Sequence, residues 1–189
     1  MPIDGWSAER AVTAAPFSRF HGRVWRVHWR EVAPIDWSLS LRTTGRYHRG
    51  VDLFPPDRAF PALYTSLAPE IAIWEMVRRS AARSLAFLRN NVLTELEVNL
   101  TRALDLSDPT AVGLTLADLR GSDRQTCQEL AAAAMARRYE ALLVPSAALP
   151  GNNLVILPRS LPEPPPIRVL RSTELPLDTT VQERRPTDT

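Results

Sequence analysis

A carboxylate on the apolar stripe of a helix is the feature that most limits how this chain can fold. The run Pro69-Glu70-Ile71-Ala72-Ile73-Trp74-Glu75-Met76-Val77-Arg78-Arg79 opens on a proline. Proline suits the first helical position, because its missing N–H would be unpaired there anyway. Ile71, Trp74, Glu75 and Arg78 then fall at i, i+3, i+4 and i+7, the spacing of one helix face. Glu75 therefore lies on or beside the buried stripe, next to Trp74. An unpaired charge is expensive to bury, so the fold must bring it a partner. Spacing leaves two readings open: an ordinary helix ion pair with Arg79 or Arg78, or the acid residue of a functional site. Just upstream, Pro61 to Ser66 reads as a short buried strand that carries Tyr64 to the same region. Before it, Gly45 allows a tight turn at Arg46. An arginine, a tyrosine and a glutamate are thus delivered in order by a loop, a strand and a helix.

Around that core the chain alternates short strands and helices. Gly22 to Trp29 is rich in β-branched and aromatic residues and reads as the first strand. Alternation puts Val24, Arg26 and His28 on one face, with Arg23, Trp25, Val27 and Trp29 on the other. Arg26 then either projects into a cleft or sits in solvent at a sheet edge. Residues 1–19 read as an irregular N-terminal segment with room for a short helical piece, and Val51 to Ala59 as a loop. After the proline-initiated helix, Ser80 to Asn91 is open to helical continuation. Val92 to Val98 alternates apolar and polar as a half-exposed strand does, and a separate short strand follows at Ala103 to Leu106. Asp118 to Ser122 turns the chain into an alanine-rich helix, about Arg124 to Arg138, with Asp123 as its N-cap. Ala141 to Val144 and Leu154 to Leu157 form two strands about a Gly151-Asn152-Asn153 turn. Ser146 stands at the end of the first, with no Gly-x-Ser-x-Gly elbow to mark a nucleophile. Ile167 to Leu170 is a last strand, and residues 179–189 read as a disordered polar tail.

Composition narrows the function classes. A chain of 189 residues with 44% hydrophobic and 23% charged residues suits one globular domain with a sizeable core. Its 23 basic residues, all arginine, nearly balance 21 acidic ones and are scattered, which argues against a nucleic-acid footprint. Arginine without lysine favours planar, bidentate recognition at any anion site. The single Cys127 excludes a disulfide framework and a cysteine metal cluster. His21, His28 and His48 lack metal-ligand spacing, so no metal is expected. No apolar run approaches the roughly 18 residues of a membrane span, and no signal-peptide core opens the chain. A cytoplasmic protein without membrane contact is the expectation.

Six fragments follow one another in a telling order. They are Arg-Val-Trp-Arg-Val at 23–27, Gly-Arg-Tyr at 45–47 and Pro-Ala-Leu-Tyr-Thr-Ser-Leu-Ala-Pro-Glu at 61–70. Ala-Ile-Trp-Glu at 72–75, Leu-Val-Pro-Ser at 143–146 and Gly-Asn-Asn-Leu-Val at 151–155 complete the set. Together they resemble the RES domain family, named for its Arg, Glu and Ser. The resemblance implies one α+β domain over residues 20–178, similar to ADP-ribosyltransferase toxins, with central short strands flanked by helices. It implies an enzyme that consumes NAD as a substrate, with no resident cofactor. Such an enzyme hydrolyses or phosphorolyses the nicotinamide–ribose bond, or transfers ADP-ribose to a protein; a non-catalytic interaction protein of the same fold is the alternative. Carried over residue by residue, Glu75, Arg46 and Ser146 are the catalytic set. Arg26, Arg46, Tyr47, Tyr64, Ser146 and Asn152 are the NAD-binding set. The implied partners are NAD and an Xre-like antitoxin, and a homodimer is compatible with the resemblance. Where the best-known toxins of the family often carry an Arg-Trp-Asn turn, this chain has Arg46-Tyr47-His48.

Overall fold

The computed structural model describes residues 5–79 and 85–175. Their helices are α1 (Ala8–Ala14), α2 (Pro69–Arg79), α3 (Leu116–Arg120) and α4 (Gln125–Ala136). Their strands are β1 (Phe17–Trp29), β2 (Leu63–Ser66), β3 (Asn91–Asp105), β4 (Ala141–Pro145), β5 (Asn152–Ile156) and β6 (Ile167–Glu174). This is a mixed α+β architecture, as the resemblance implies.

The sheet nearly closes on itself. β1 and β3 pair antiparallel from Phe17 opposite Leu104 to Trp29 opposite Asn91, with a bulge where Thr101 and Arg102 stand opposite Arg19. The other edge of β3 is shared: Val92 to Val98 pairs with β6, and Ala103 to Asp105 runs parallel to β4. β4 pairs with β5 and β5 with β2, both antiparallel, and β2 meets β1 again at Ser66 opposite Trp25. Strands β1, β2, β5, β4 and β3 therefore form a ring, with β6 as an outer flap. Closure of this kind removes strand edges that would otherwise stay unpaired.

Alternation distributes the apolar side chains between distinct cores. Val24, Leu63, Leu96, Leu154 and Ile156 share one. Leu142, Val144, Val155 and Leu157 face the opposite way and pack on Leu119, Leu130, Ala131 and Ala134 of α3 and α4. The small side chains of α4 let that helix lie close to the strands, which answers for its alanine run. Val27 lies in a third cluster with Ala72 and Val77 of α2, joined by the half-buried Trp25 and Trp74. α2 is thus docked over β1, and Glu75 follows from the same helix face.

Several elements differ from the sequence expectations. Residues 8–14 are helical and β1 already begins at Phe17, so the first nineteen residues are not irregular throughout. Ser7 caps α1 by accepting the Arg10 N–H, and Ala11 and Val12 of α1 are buried in the α4 core. The strands expected at 92–98 and 103–106 are one continuous β3, because β1 pairs with it through the interval. The turn expected at Asp118 to Ser122 begins as the end of a short helix, Leu116–Arg120, with a Thr115–Asp118 capping box. The N-cap of α4 is Arg124 and not Asp123, whose carboxylate accepts the Gln125 N–H from one residue earlier. Of the expected helical continuation after α2, residues 80–84 lie outside the described residues and Leu85–Asn90 is a 3-10 helix. The tail at 179–189 also lies outside them. Among the described residues, no helix is long and apolar enough to cross a membrane.

Candidate functional site

Glu75 projects from the middle of α2 into a cleft of about 570 Å³, bounded by β1, β2, β5 and the 43–48 turn. That volume falls within the usual range for small-molecule sites. One carboxylate oxygen, Oε1, accepts three hydrogen bonds. They come from Ser146 Oγ at 2.6 Å, Asn153 Nδ2 at 2.7 Å and the Ala147 N–H at 3.0 Å. The donors arrive from the end of β4 and the start of β5. Gly151 turns the chain between these strands at φ +124°, a conformation that L side chains rarely adopt. Burial, the largest single influence, raises the Glu75 pKa. The bonds from Ser146, Asn153 and Ala147, followed by the charge of Arg79, outweigh it and leave the carboxyl below its ordinary value. Glu75 is therefore ionised at neutral pH, and Oε2 is the oxygen available to a ligand.

Each donor is itself held. Ser146 Oγ gives its proton to Glu75 and accepts the N–H groups of Ala148 at 3.0 Å and Leu149 at 3.4 Å. The hydroxyl is thus a brace for the carboxylate, fully engaged on the donor side. Asn153 has its amide oxygen fixed by Ser66 Oγ at 2.7 Å, which turns its NH₂ towards Glu75. The strand period of two places Asn153, together with Val155, on the cleft wall. Asn152, the residue singled out from the sequence, falls on the other face, and its backbone carbonyl takes the Leu67 N–H.

Arginines supply the rest of the wall. Arg26, Arg46, Arg78, Arg79 and Arg124 all line the cleft. Arg26 reaches it from β1 and donates to the Pro34 carbonyl at 2.8 Å. Burial, ahead of attraction to Asp36 and repulsion from Arg79, brings its pKa down to about 10, which still leaves it charged at neutral pH. Arg46 is clamped at the C-terminal end of α3, donating to Leu119 O at 2.9 Å and Arg120 O at 3.3 Å. Arg78 donates to the same Arg120 carbonyl at 3.2 Å. The Arg79 guanidinium lies over the Tyr64 ring, 4.4 Å from its centroid, a cation–π geometry. The helix spacing that suggested a Glu75–Arg79 ion pair thus yields a stacked arginine, with Glu75 bonded to the far strands instead. Charge in the cleft is strongly positive with one carboxylate in its midst, the pattern that receives an anionic ligand.

Tyr64 and Tyr47 take different places. Tyr64 lines the cleft from β2, and its hydroxyl bonds the Tyr47 N–H and His48 Nδ1, both at 2.9 Å. Tyr47 turns its ring into the α4 core, 3% exposed, and presents its backbone to the cleft. Of the residues nominated from the sequence, Glu75, Ser146, Arg26, Arg46, Tyr47 and Tyr64 gather here. Asn153, Ser66, His48 and the arginines 78, 79 and 124 were not nominated. Helix spacing from Glu75 points to Arg78 and Arg79, and period-two alternation along β5 points to Asn153. Among the described residues, no group of His, Cys, Asp and Glu side chains comes together as a metal site would require.

The sequence matches the RES domain family over residues 23–178. No curated protein matches it. Among solved structures, the chain is similar to one in the crystal structure of the M. tuberculosis MbcT–MbcA toxin–antitoxin complex, with a TM-score of 0.75 and 22% identity. The likeness covers 89% of this chain and 91% of that one. At that identity the likeness establishes a shared fold, over nearly the whole of both chains.

Proposed function

This chain belongs to the RES domain family, and from that premise we propose that it is an enzyme that consumes NAD by breaking the nicotinamide–ribose bond. The observation that carries the reading is the Glu75 carboxylate, held by three donors on one oxygen inside an arginine-lined cleft. NAD pairs a doubly charged diphosphate with a ribose whose C1′ turns cationic as nicotinamide leaves. The cleft offers cations for the first and an anion for the second.

In this reading Arg46, Arg26 and the arginines 78, 79 and 124 hold the diphosphate through forked, charge-assisted hydrogen bonds. Tyr64 packs against nicotinamide. Glu75, through Oε2, binds a hydroxyl of the ribose and stabilises the oxocarbenium-like charge at C1′. The C1′–N bond breaks with its electron pair passing to the nicotinamide nitrogen, which becomes neutral. An acceptor oxygen then bonds to C1′. With water as acceptor the products are nicotinamide, ADP-ribose and one proton. With phosphate the product is a sugar phosphate, and with a protein side chain it is an ADP-ribosylated protein. Ser146 and Asn153 keep the carboxylate aimed and ionised throughout, so no reorganisation is needed at the moment of bond breaking.

The toxin–antitoxin complex of similar fold supports a toxin role for this chain, with a cognate antitoxin protein as partner. NAD consumption in the cytoplasm is the activity that such a partner would restrain. The test is incubation of purified protein with NAD, in buffers with and without phosphate, followed by chromatography. We expect nicotinamide with free ADP-ribose, with a phosphorylated sugar, or with labelled protein, and the co-product identifies the acceptor. Absence of nicotinamide under every condition would overturn the reading.

A further inference from the structure

The 45–48 turn carries a buried side chain that the reaction above leaves unused, the imidazole of His48. Its two nitrogens have distinct partners. Nε2 lies 2.7 Å from the Thr43 carbonyl oxygen, which can only accept, so Nε2 carries the proton. Nδ1 lies 2.9 Å from the Tyr64 hydroxyl. In a neutral ring protonated at Nε2, Nδ1 is an acceptor, so the Tyr64 O–H donates to it. The same hydroxyl oxygen accepts the Tyr47 N–H at 2.9 Å. A single directed chain results: Tyr47 N–H to Tyr64 O–H to His48 Nδ1, with His48 Nε2–H ending on Thr43. Burial, the largest influence, takes the His48 pKa down to about 4, so the ring stays neutral and Nδ1 stays an acceptor at working pH.

Three further contacts give this chain a purpose. The imidazole packs edge-to-face with the Tyr64 ring, centroids 5.6 Å apart at 71°. The face of Tyr64 in turn carries the Arg79 guanidinium. The space for the imidazole exists because residue 45 is glycine: a Cβ there would stand 2.1 Å from His48 Cε1. His48 and Gly45 therefore act as a pair, one supplying the acceptor and the other leaving room for it.

Building on the NAD-consuming reading, we propose that His48 is a positioning residue, which holds Tyr64, and through it Arg79, in register with Glu75. Without it, the Tyr64 hydroxyl keeps one donor partner and loses its acceptor, and the ring is free to turn about its side-chain torsions. Arg79, a long side chain with much rotamer freedom, then loses the flat surface over which it is ordered. The three donors of Glu75 keep their places, because they come from the end of β4 and the start of β5.

The experiment uses the full chain. His48→Leu removes the acceptor at similar volume. His48→Asn keeps an amide oxygen near the place of Nδ1. Tyr64→Phe removes the hydroxyl. We expect His48→Leu to lower kcat/KM for NAD by about tenfold, the value of one well-placed hydrogen bond, and His48→Asn to recover most of that. If His48 acts through Tyr64, His48→Leu should add almost nothing in the Tyr64→Phe background, whereas independent effects would multiply. Wild-type kinetics in a folded His48→Leu protein, or multiplying effects in the double variant, would overturn the proposal. If His48→Leu does not fold, His48→Ala and Tyr64→Phe complete the same cycle. Nitrogen-15 NMR of the imidazole gives a readout independent of turnover. A neutral ring protonated at Nε2, whose Nδ1 shift moves in Tyr64→Phe, supports the wiring; a ring protonated at Nδ1 sinks it. A wild-type protein that releases no nicotinamide counts against the NAD reading alone, and the NMR result still decides the role of His48.

Discussion

Two glutamates at opposite ends of β4, Glu140 buried and Glu75 half-buried, each accept three hydrogen bonds, yet only one of them faces the cleft. Glu140, just before β4, accepts the N–H groups of Thr101 and Arg102 on Oε2 and the Thr101 hydroxyl on Oε1. Both its oxygens are occupied by its own fold. It is 7% exposed, beside the Arg102 guanidinium that stacks on Tyr139 and Phe17. Glu75 receives the same number of bonds, all on Oε1, and its other oxygen faces a cleft lined by arginines. Burial and hydrogen-bond count therefore do not mark a functional carboxylate. What marks it is an oxygen left over, next to space and to charge of the opposite sign.

Replacing the two in turn is the sharpest way to break that comparison. Glu75→Gln keeps the shape and an accepting oxygen but removes the negative charge. Nicotinamide release should fall on the order of 100- to 1000-fold, as when one preorganised electrostatic stabiliser is lost, with a melting temperature near that of the wild type. A folded variant that cleaves NAD at the wild-type rate would remove Glu75 from the mechanism. Glu140→Gln should do the reverse. Its amide oxygen keeps the Thr101 and Arg102 N–H groups and its NH₂ can donate to the Thr101 hydroxyl, but these bonds lose their charge, costing about 1–3 kcal/mol in denaturant unfolding, with unchanged turnover per folded molecule. Loss of activity without loss of stability would make the two glutamates alike after all.

The smallest effect concerns the brace. Ser146→Ala removes the shortest bond to Glu75, and with it the first among the influences that lower its pKa. The wild-type carboxyl ionises below its ordinary value, so activity that needs the carboxylate persists as pH falls into that range. In the variant the pKa rises and the acid limb of the pH–rate profile moves to higher pH. At neutral pH the rate should drop by about tenfold, the worth of one hydrogen bond to a charged group. An acid limb that stays in place would show that Ser146 does not tune Glu75.

How much of this was legible in the sequence differs from element to element. The start of α2 could be read to the residue, since a proline start and a 3.6-residue apolar period are local signals. The partners of Glu75 could not, because they lie 71 to 78 positions later and no periodicity links them. Only the family resemblance pointed to Ser146. Asn153 was hidden by the turn assigned to Gly151-Asn152-Asn153, whereas β5 already begins at Asn152. Arg79 has the spacing of an ion-pair partner, but the Tyr64 ring competes for it in three dimensions. α1 was open in the sequence only as a short helical piece without bounds, because seven residues make a marginal helix by themselves; it is stable where α4 offers a surface for Ala11 and Val12. β3 was divided between 98 and 103, where the polar Asn99, Thr101 and Arg102 mask a strand that its long pairing with β1 enforces.

The distance along the chain between Glu75 and its donors also bears on the order of synthesis. A nascent polypeptide that has emerged only as far as α4 already contains the acid and every arginine of the cleft. It lacks Ser146, Ala147 and Asn153, and without β4 and β5 the sheet is an open arc and not a ring. The carboxylate is then solvated and unaimed. Competence therefore arrives only once β4 and β5 have followed α4, and a product truncated before them carries the charges of the site without its geometry.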